Sequence, residues 1–265
     1  MDTGMRGLVV LVTGGSSGIG RAIAKAYGAE GAKVALTYRT GEAAAHATAR
    51  EVEAAGGEAL VLPLELGRID SCSETIAAVR DRWGGIDVLV ANAVQWPDRA
   101  PEDAGGFERM RVERWQTTLR TNLEGTFATV RAALPAMRDR DAPGRIVLIS
   151  SGLAEEGMPG GGDYGAAKAG LHGLARSLAW ELGREGILVN VVDTGFTLTE
   201  RNLEHFGDEM RERVAGAVPS RRLSTPEEVA RLVVFLGSAA NGNISGEIVR
   251  EGSSTAGSAH AAAAA

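Results

Sequence analysis

Short apolar runs rich in β-branched residues alternate with longer helix-patterned stretches along almost the whole chain, and few folds satisfy that rhythm. Residues 8–12, 33–38, 59–62, 87–91, 145–149, 188–192 and 247–249 read as strands. Several are apolar at nearly every position, as expected where helices cover both faces of a parallel sheet. Between them, 19–30, 42–55, 71–83, 114–138, 164–183 and 226–236 carry helical patterns. Asp70 and Ser71 are placed to cap the third of these helices. Thr225 before Pro226, with Glu227 and Glu228 following, is a helix start. The alternation predicts an α/β fold: a single Rossmann-type, doubly wound parallel β-sheet with helices on both faces and right-handed crossovers. No repeat or linker divides the chain, so 1–257 reads as one domain and the alanine-rich 258–265 as a tail. Two segments break the rhythm. Residues 95–112 are rich in Pro, Gly and charge, and 194–223 form a long insertion. Irregular segments at the carboxyl ends of strands are where such folds bind ligands.

Composition removes several classes of function. With 265 residues, 44% hydrophobic, the chain has ample material for a core. Its net charge of −6 and lack of a basic block argue against a nucleic-acid partner. No basic amphipathic stretch suits a membrane surface, and the early apolar run 8–12 is too short to span a bilayer or to serve as a signal peptide. The one cysteine, Cys72, excludes an internal disulfide and a cysteine zinc cluster and fits a reducing, cytoplasmic setting. His46, His172, His205 and His260 show no ligand spacing, so no metal site is expected; they read as surface or helix-packing residues.

Thr13-Gly14-Gly15-Ser16-Ser17-Gly18-Ile19-Gly20 directly follows the first strand and opens the first helix. Glycines at 14, 18 and 20 let the backbone turn tightly and approach a pyrophosphate. The helix N-terminus adds free N–H groups and partial positive charge. A strand before the turn and a helix after it is the context a dinucleotide site requires. The second strand ends at Tyr38-Arg39-Thr40, with no acid to bond a ribose 2′-hydroxyl. Arg39 is then either a surface arginine or a partner for a 2′-phosphate beside Thr40. The missing acid favours the second, hence NADP(H) over NAD.

Near the middle of the chain, Tyr164 and Lys168 stand one helical turn apart in Gly-Asp-Tyr-Gly-Ala-Ala-Lys, with Ser151 a short loop upstream. The phenol and the ammonium therefore share a helix face. A nearby cation favours phenolate and is expected to lower the tyrosine pKa, which suits general acid–base work.

With these motifs in order, the chain resembles the classical short-chain dehydrogenase/reductase family, in particular its ketoreductases, over roughly residues 6 to 252. The resemblance rests on the glycine turn at 13–20, Asn92-Ala93, Thr121-Asn122-Leu123, Ile149-Ser150-Ser151, Tyr164 and Lys168, Val189-Asn190-Val191, and Ile244-Ser245-Gly246-Glu247. It implies a catalytic set of Ser151, Tyr164, Lys168 and Asn122. Ser151 would bind the carbonyl and Tyr164 would donate the proton. Lys168 would lower the Tyr164 pKa and hold the ribose, and Asn122 would hold a water. Two hydroxyl donors aimed at a carbonyl oxygen stabilise the charge that grows there as hydride arrives. Ser150 is expected to be structural. Cofactor contacts are implied for Gly14, Ser16, Ser17, Gly18, Ile19, Gly20, Arg39, Thr40, Glu65, Leu66, Asn92, Ala93, Tyr164, Lys168, Gly195, Thr197 and Thr199.

Three positions depart from the family pattern. Val94 stands for a glycine, Thr194 for a proline, and Glu65 for the usual Asp. They suggest a specialised pocket, walled by Gln95, Trp96, Leu153, Met158 with Pro159, and the span from Phe196 to Phe206. Trp96 and Phe196 either stack on a flat ligand or simply pack the loops. The segment 91–97, Ala-Asn-Ala-Val-Gln-Trp-Pro, resembles ketoreductases that tailor angucycline-type aromatic polyketides in actinomycetes. The leading reading is an NADPH-dependent reductase of a small-molecule ketone, with a polycyclic aromatic ketone as the substrate the narrower resemblance implies. One alternative is a 3-ketoacyl-carrier-protein reductase, with Arg221 and Arg222 in a carrier-binding patch. Another is a non-catalytic NADP sensor, against which the retained proton-transfer groups argue. The family implies a homotetramer or dimer built on helices 114–138 and 164–183.

Overall fold

The computed structural model describes residues 3–98, 100, 103 and 106–252. The tail expected at 258–265 lies outside them. Seven strands, β1 (Val9–Val12), β2 (Lys33–Tyr38), β3 (Glu58–Pro63), β4 (Val88–Ala91), β5 (Arg145–Ser151), β6 (Leu188–Thr194) and β7 (Ile248–Glu251), form one sheet. Its order is β3-β2-β1-β4-β5-β6-β7, and every pair is parallel. The order reverses between β1 and β4, which is the crevice where such sheets bind ligands. Helices α1 (Gly18–Ala29), α2 (Glu42–Ala54) and α10 (Pro226–Leu236) cover one face. On the other lie α3 (Ile69–Trp83), α5 (Gly125–Arg138) and α7 (Gly162–Leu182). Alternation along β1 divides the core: Val10 and Val12 point into the first layer, Val9 and Leu11 into the second, all at most 1% exposed. This two-sided burial is why the strands read as unbroken apolar runs.

Several expectations need correction. The helix expected over 114–138 is two helices, α4 (Val112–Leu119) and α5, joined by a π turn at Arg120–Glu124. That wider turn carries Asn122, and such turns gather at functional sites. Asp70 and Ser71 do not cap α3. Its N-cap is Arg68, without a side-chain cap, and the Ser71 hydroxyl accepts from the Glu65 N–H at 3.0 Å instead. Thr225 does cap α10, in a capping box with Glu228. The insertion after β6 is not irregular throughout. It holds α8 (Glu200–His205) and α9 (Asp208–Ala217). A short α6 (Leu153–Glu156) follows β5. Among the described residues no helix is long and apolar enough to cross a membrane.

Candidate active site

The carboxyl ends of β1, β2, β4, β5 and β6 open on a cleft of about 850 Å³. At one end stands the glycine turn. Gly14 and Gly18 have φ of +69° and +53°, where a side chain is strained. A Cβ on Gly14 would stand 2.9 Å from the Ala93 Cα, and one on Gly20 would stand 2.1 Å from the Gly14 carbonyl oxygen. Thr13 and Asn92 pin this turn to β4. The Thr13 hydroxyl accepts from the N–H groups of Asn92 and Ala93, both at 2.9 Å, and the Asn92 amide donates to the Thr13 and Gly14 carbonyls. Thr37 accepts from the Gly14 N–H at 3.0 Å. Sequence reading placed Asn92 among the cofactor contacts; its amide is already spent on holding the turn in shape.

Ser16, Ser17, Ile19, Arg39, Thr40, Leu66, Gly195, Thr197 and Thr199 join those residues along the cleft wall. Glu65 does not, because its exposed side chain lies between two leucines, Leu64 and Leu66, that turn inward and are buried. Arg39 donates to the Gln95 side-chain oxygen at 2.7 Å.

The turn already holds an anion of the protein's own. The Gly18 N–H, at the start of α1, donates to a carboxylate oxygen of Glu200 at 3.1 Å, and Arg21 stands 3.6 Å from the other oxygen. Free N–H groups at a helix start bind anions, and Glu200 demonstrates that this one does. The cradle therefore fits the pyrophosphate of a dinucleotide. Glu200 is predicted to compete for that seat. Glu200→Gln should tighten nicotinamide dinucleotide binding roughly 3- to 10-fold, about the effect of removing a charge near a helix start. Fluorescence titration would detect it, and unchanged affinity would exclude competition.

At the other end, α7 presents Tyr164 and Lys168 beside Ser151, which ends β5. Tyr164 is 5% exposed and Lys168 3%. The Lys168 ammonium stands 5.8 Å from the Tyr164 ring centroid and donates to the Ile149 carbonyl at 2.8 Å. Burial lowers its pKa to about 8. The expected lowering of the Tyr164 pKa is not what the site does. Burial pushes the phenol well up, and its hydrogen bond with Ser151 and the nearby Arg201 cation only partly pull it back. Lost water dominates at the phenol, and the cation felt there is Arg201 rather than Lys168.

Ser150 lies deeper, 2% exposed, with its hydroxyl 2.8 Å from the His172 Nε2. Asn122 is 1% exposed and does not line the cleft. Its amide accepts from the Gln95 N–H and donates to the Gln95 carbonyl, both at 2.8 Å. Asn122 thus fixes the strand of chain that carries Gln95 and Trp96. The Trp96 ring lies 4.9 Å from the Tyr164 ring and 19° from parallel. Phe196 instead packs edge-on against Phe206 at 5.2 Å, while Leu153 and Met158 surround Tyr164. Thr194 continues β6, and its hydroxyl donates to the Ser150 carbonyl at 3.2 Å.

Sequence reading missed a buried ion pair that anchors this end. Arg114 on α4 donates through Nε and Nη2 to the two carboxylate oxygens of Asp163, both at 3.1 Å, and also to the Gly160 carbonyl at 2.6 Å. Asp163 immediately precedes Tyr164, and the Thr118 hydroxyl donates to it as well. The partners stand 49 positions apart, so no local pattern reveals them.

A family model described as Enoyl-(Acyl carrier protein) reductase matches residues 14–250. The chain is 39% identical to an acetoacetyl-CoA reductase of Shinella zoogloeoides, over 91% of this chain and 95% of that protein. It is 35% identical to 3beta-hydroxysteroid dehydrogenase 1 of Eggerthella lenta, over 88% of each. A crystal structure of a dehydrogenase/reductase from Sinorhizobium meliloti superposes with a TM-score of 0.84 at 34% identity, covering 94% of this chain and 96% of that one. A glycine cradle that takes an anion, a serine, tyrosine and lysine at the far end of the same cleft, and likeness along nearly the full length lead to one conclusion: the chain belongs to the classical short-chain dehydrogenase/reductase family of nicotinamide-dependent oxidoreductases.

Proposed function

We propose that the protein uses NADPH to reduce a ketone on a flat, ring-containing substrate of the aromatic polyketide, angucycline-like kind. The observation that carries this reading is the Trp96 ring stacked on Tyr164, an aromatic surface beside the proton donor. The nicotinamide, when bound, supplies hydride to the carbonyl carbon. Burial keeps the Tyr164 phenol protonated at neutral pH, which suits a donor in the reducing direction. Tyr164 gives its proton to the carbonyl oxygen, and Ser151 donates a hydrogen bond to the same oxygen. Lys168, held by the Ile149 carbonyl with its ammonium 5.8 Å from the Tyr164 ring centroid, is placed to hold the nicotinamide ribose beside the tyrosine. Asn122 acts by positioning Gln95 and Trp96.

Arg39 at the end of β2 is proposed to hold a 2′-phosphate. Arg39→Ala should weaken NADP binding roughly 10-fold or more, the worth of a charge-assisted hydrogen bond, with far less effect on NAD. Parallel titrations with the two cofactors test it, and equal losses for both would remove this role.

A 3-oxoacyl thioester is the second reading, favoured by the acetoacetyl-CoA reductase likeness and by a 3-oxoacyl-[acyl-carrier-protein] reductase of Synechocystis that is 36% identical. Its carrier patch is weakened, because Arg222 is paired with Glu228 at 2.7 Å. The deciding experiment follows NADPH oxidation against cyclic aromatic ketones and 3-oxoacyl thioesters side by side. Turnover of thioesters alone would replace the first reading with the second. The exposed rings of Trp115, Phe127 and Trp180 on α4, α5 and α7 support a homotetramer or dimer joined through those helices, and the free thiol of Cys72 fits a cytoplasmic setting.

A further inference from the structure

One cation at the catalytic end has no anionic counterpart among the described residues. Arg201, on α8, places its guanidinium carbon 4.6 Å from the Trp96 ring centroid, and Trp96 in turn covers Tyr164. Its guanidinium makes no hydrogen bond or ion pair among the described residues. Neighbouring cations are spoken for: Arg21 by Glu51, Lys168 by the Ile149 carbonyl, Arg250 by Asp193. The acid beside it in the chain, Glu200, is turned the other way, onto Gly18 and Arg21. Among the described residues no other carboxylate lines the cleft. The catalytic end therefore presents two cations and no anion, against a wall of Trp96, Leu153 and Met158.

Arg201 is close enough to Tyr164 for its charge to be felt at the phenol, and burial in the cleft loosens its own proton. Five N–H donors in a planar fork match a carboxylate or phosphate, and stacking on the indole holds the fork in place. Arg201 is exposed at the cleft rim, so water serves its guanidinium until a ligand anion takes that place with a charge-assisted hydrogen bond.

We infer that Arg201 determines specificity by selecting ketones that carry an anionic oxygen group, carboxylate or phosphate, beside an apolar ring or chain. This rests on the reductase reading and narrows its substrate class.

The test uses the full chain and two matched pairs. One is a neutral cyclic ketone with its carboxylated counterpart. The other is a neutral hydroxyketone with its phosphate monoester, which sets a phosphate a few bonds from the carbonyl. Wild type should prefer the anionic member of at least one pair, and the pair showing the preference identifies the anion's source. Arg201→Gln should cut kcat/KM for that member roughly 10- to 100-fold, mainly through KM, so that the anionic-to-neutral ratio falls toward one. Arg201→Lys, which keeps the charge and loses the fork, should give an intermediate ratio. An equal fall for both members, leaving the ratio unchanged, would assign Arg201 only to supporting Trp96 and overturn the inference. So would a wild type with no anionic preference in either pair. If wild type turns over no ketone, the reductase reading fails on its own. The same pairs titrated by calorimetry then judge Arg201: selective loss of anion binding in Arg201→Gln upholds the inference, and equal binding of both members by wild type overturns it.

Discussion

Tyr164→Phe should lower ketone-dependent NADPH oxidation by roughly 10²–10⁴-fold, the usual worth of a positioned general acid. The ring remains, so its stacking with Trp96 and its packing against Leu153 should persist. Only the hydroxyl is lost, and with it the proton for the carbonyl oxygen. NADPH affinity should stay close to wild type, because the glycine turn and its pins lie at the opposite end of the cleft. Stopped-flow turnover together with a binding titration separates the two effects. Retained activity in the variant would sink the mechanism outright. The phenol's raised pKa adds a direction to this result. A donor that stays protonated through neutral pH supports reduction. Oxidation, which needs phenolate, should gain as pH rises.

The largest stability effect is expected at Arg114. Its side chain is 3% exposed and that of Asp163 is fully buried. Truncating one member of such a pair strands the other as an uncompensated charge, which typically costs about 3–5 kcal/mol. Arg114→Leu should therefore lower unfolding free energy by about that amount, read from urea unfolding at pH 7. Replacing both partners, in Arg114→Leu with Asp163→Asn, removes the stranded charge and should recover part of the loss. A double variant no more stable than the single one would show that the fork's bonds, rather than the orphaned charge, dominate. Activity should also suffer beyond what unfolding explains, since Asp163 precedes Tyr164 at the start of α7. An Arg114→Leu enzyme with wild-type stability would contradict the pairing.

The two ends of the cleft also meet through one short element. α8 follows its capping residue Thr199 and sends Glu200 to the glycine turn and Arg201 to Trp96. A change at the glycine turn and a change above the tyrosine thus fall on adjacent residues of the chain. The Glu200 and Arg201 variants consequently probe neighbouring parts of one segment, and each should be checked for cofactor and substrate binding separately.

Much of this protein follows from relations between residues a few positions apart, and those the sequence by itself determined. The two-sided burial of the sheet shows in strands such as β1 and β4, which are apolar at every position. Gly14, Gly18 and Gly20 mark a turn because their conformation and close contacts admit no side chain. Thr225 and Glu228 make a capping box because three residues is the reach of a first helical turn. Tyr164 and Lys168 share a face for the same kind of reason. What only the tertiary structure decided depends on groups far apart in the chain or on loss of water. Asn122 grips Gln95 from 27 positions away, Arg114 grips Asp163 from 49, and Glu200 reaches Gly18 from 182. The direction of the Tyr164 pKa belongs to the same class. Spacing supplies the neighbouring cation, but only the packing of α6, α7 and the Trp96 loop around the phenol determines how much water it loses. In this site that loss outweighs the Ser151 hydrogen bond and the charge of Arg201, a cation that no local spacing supplies.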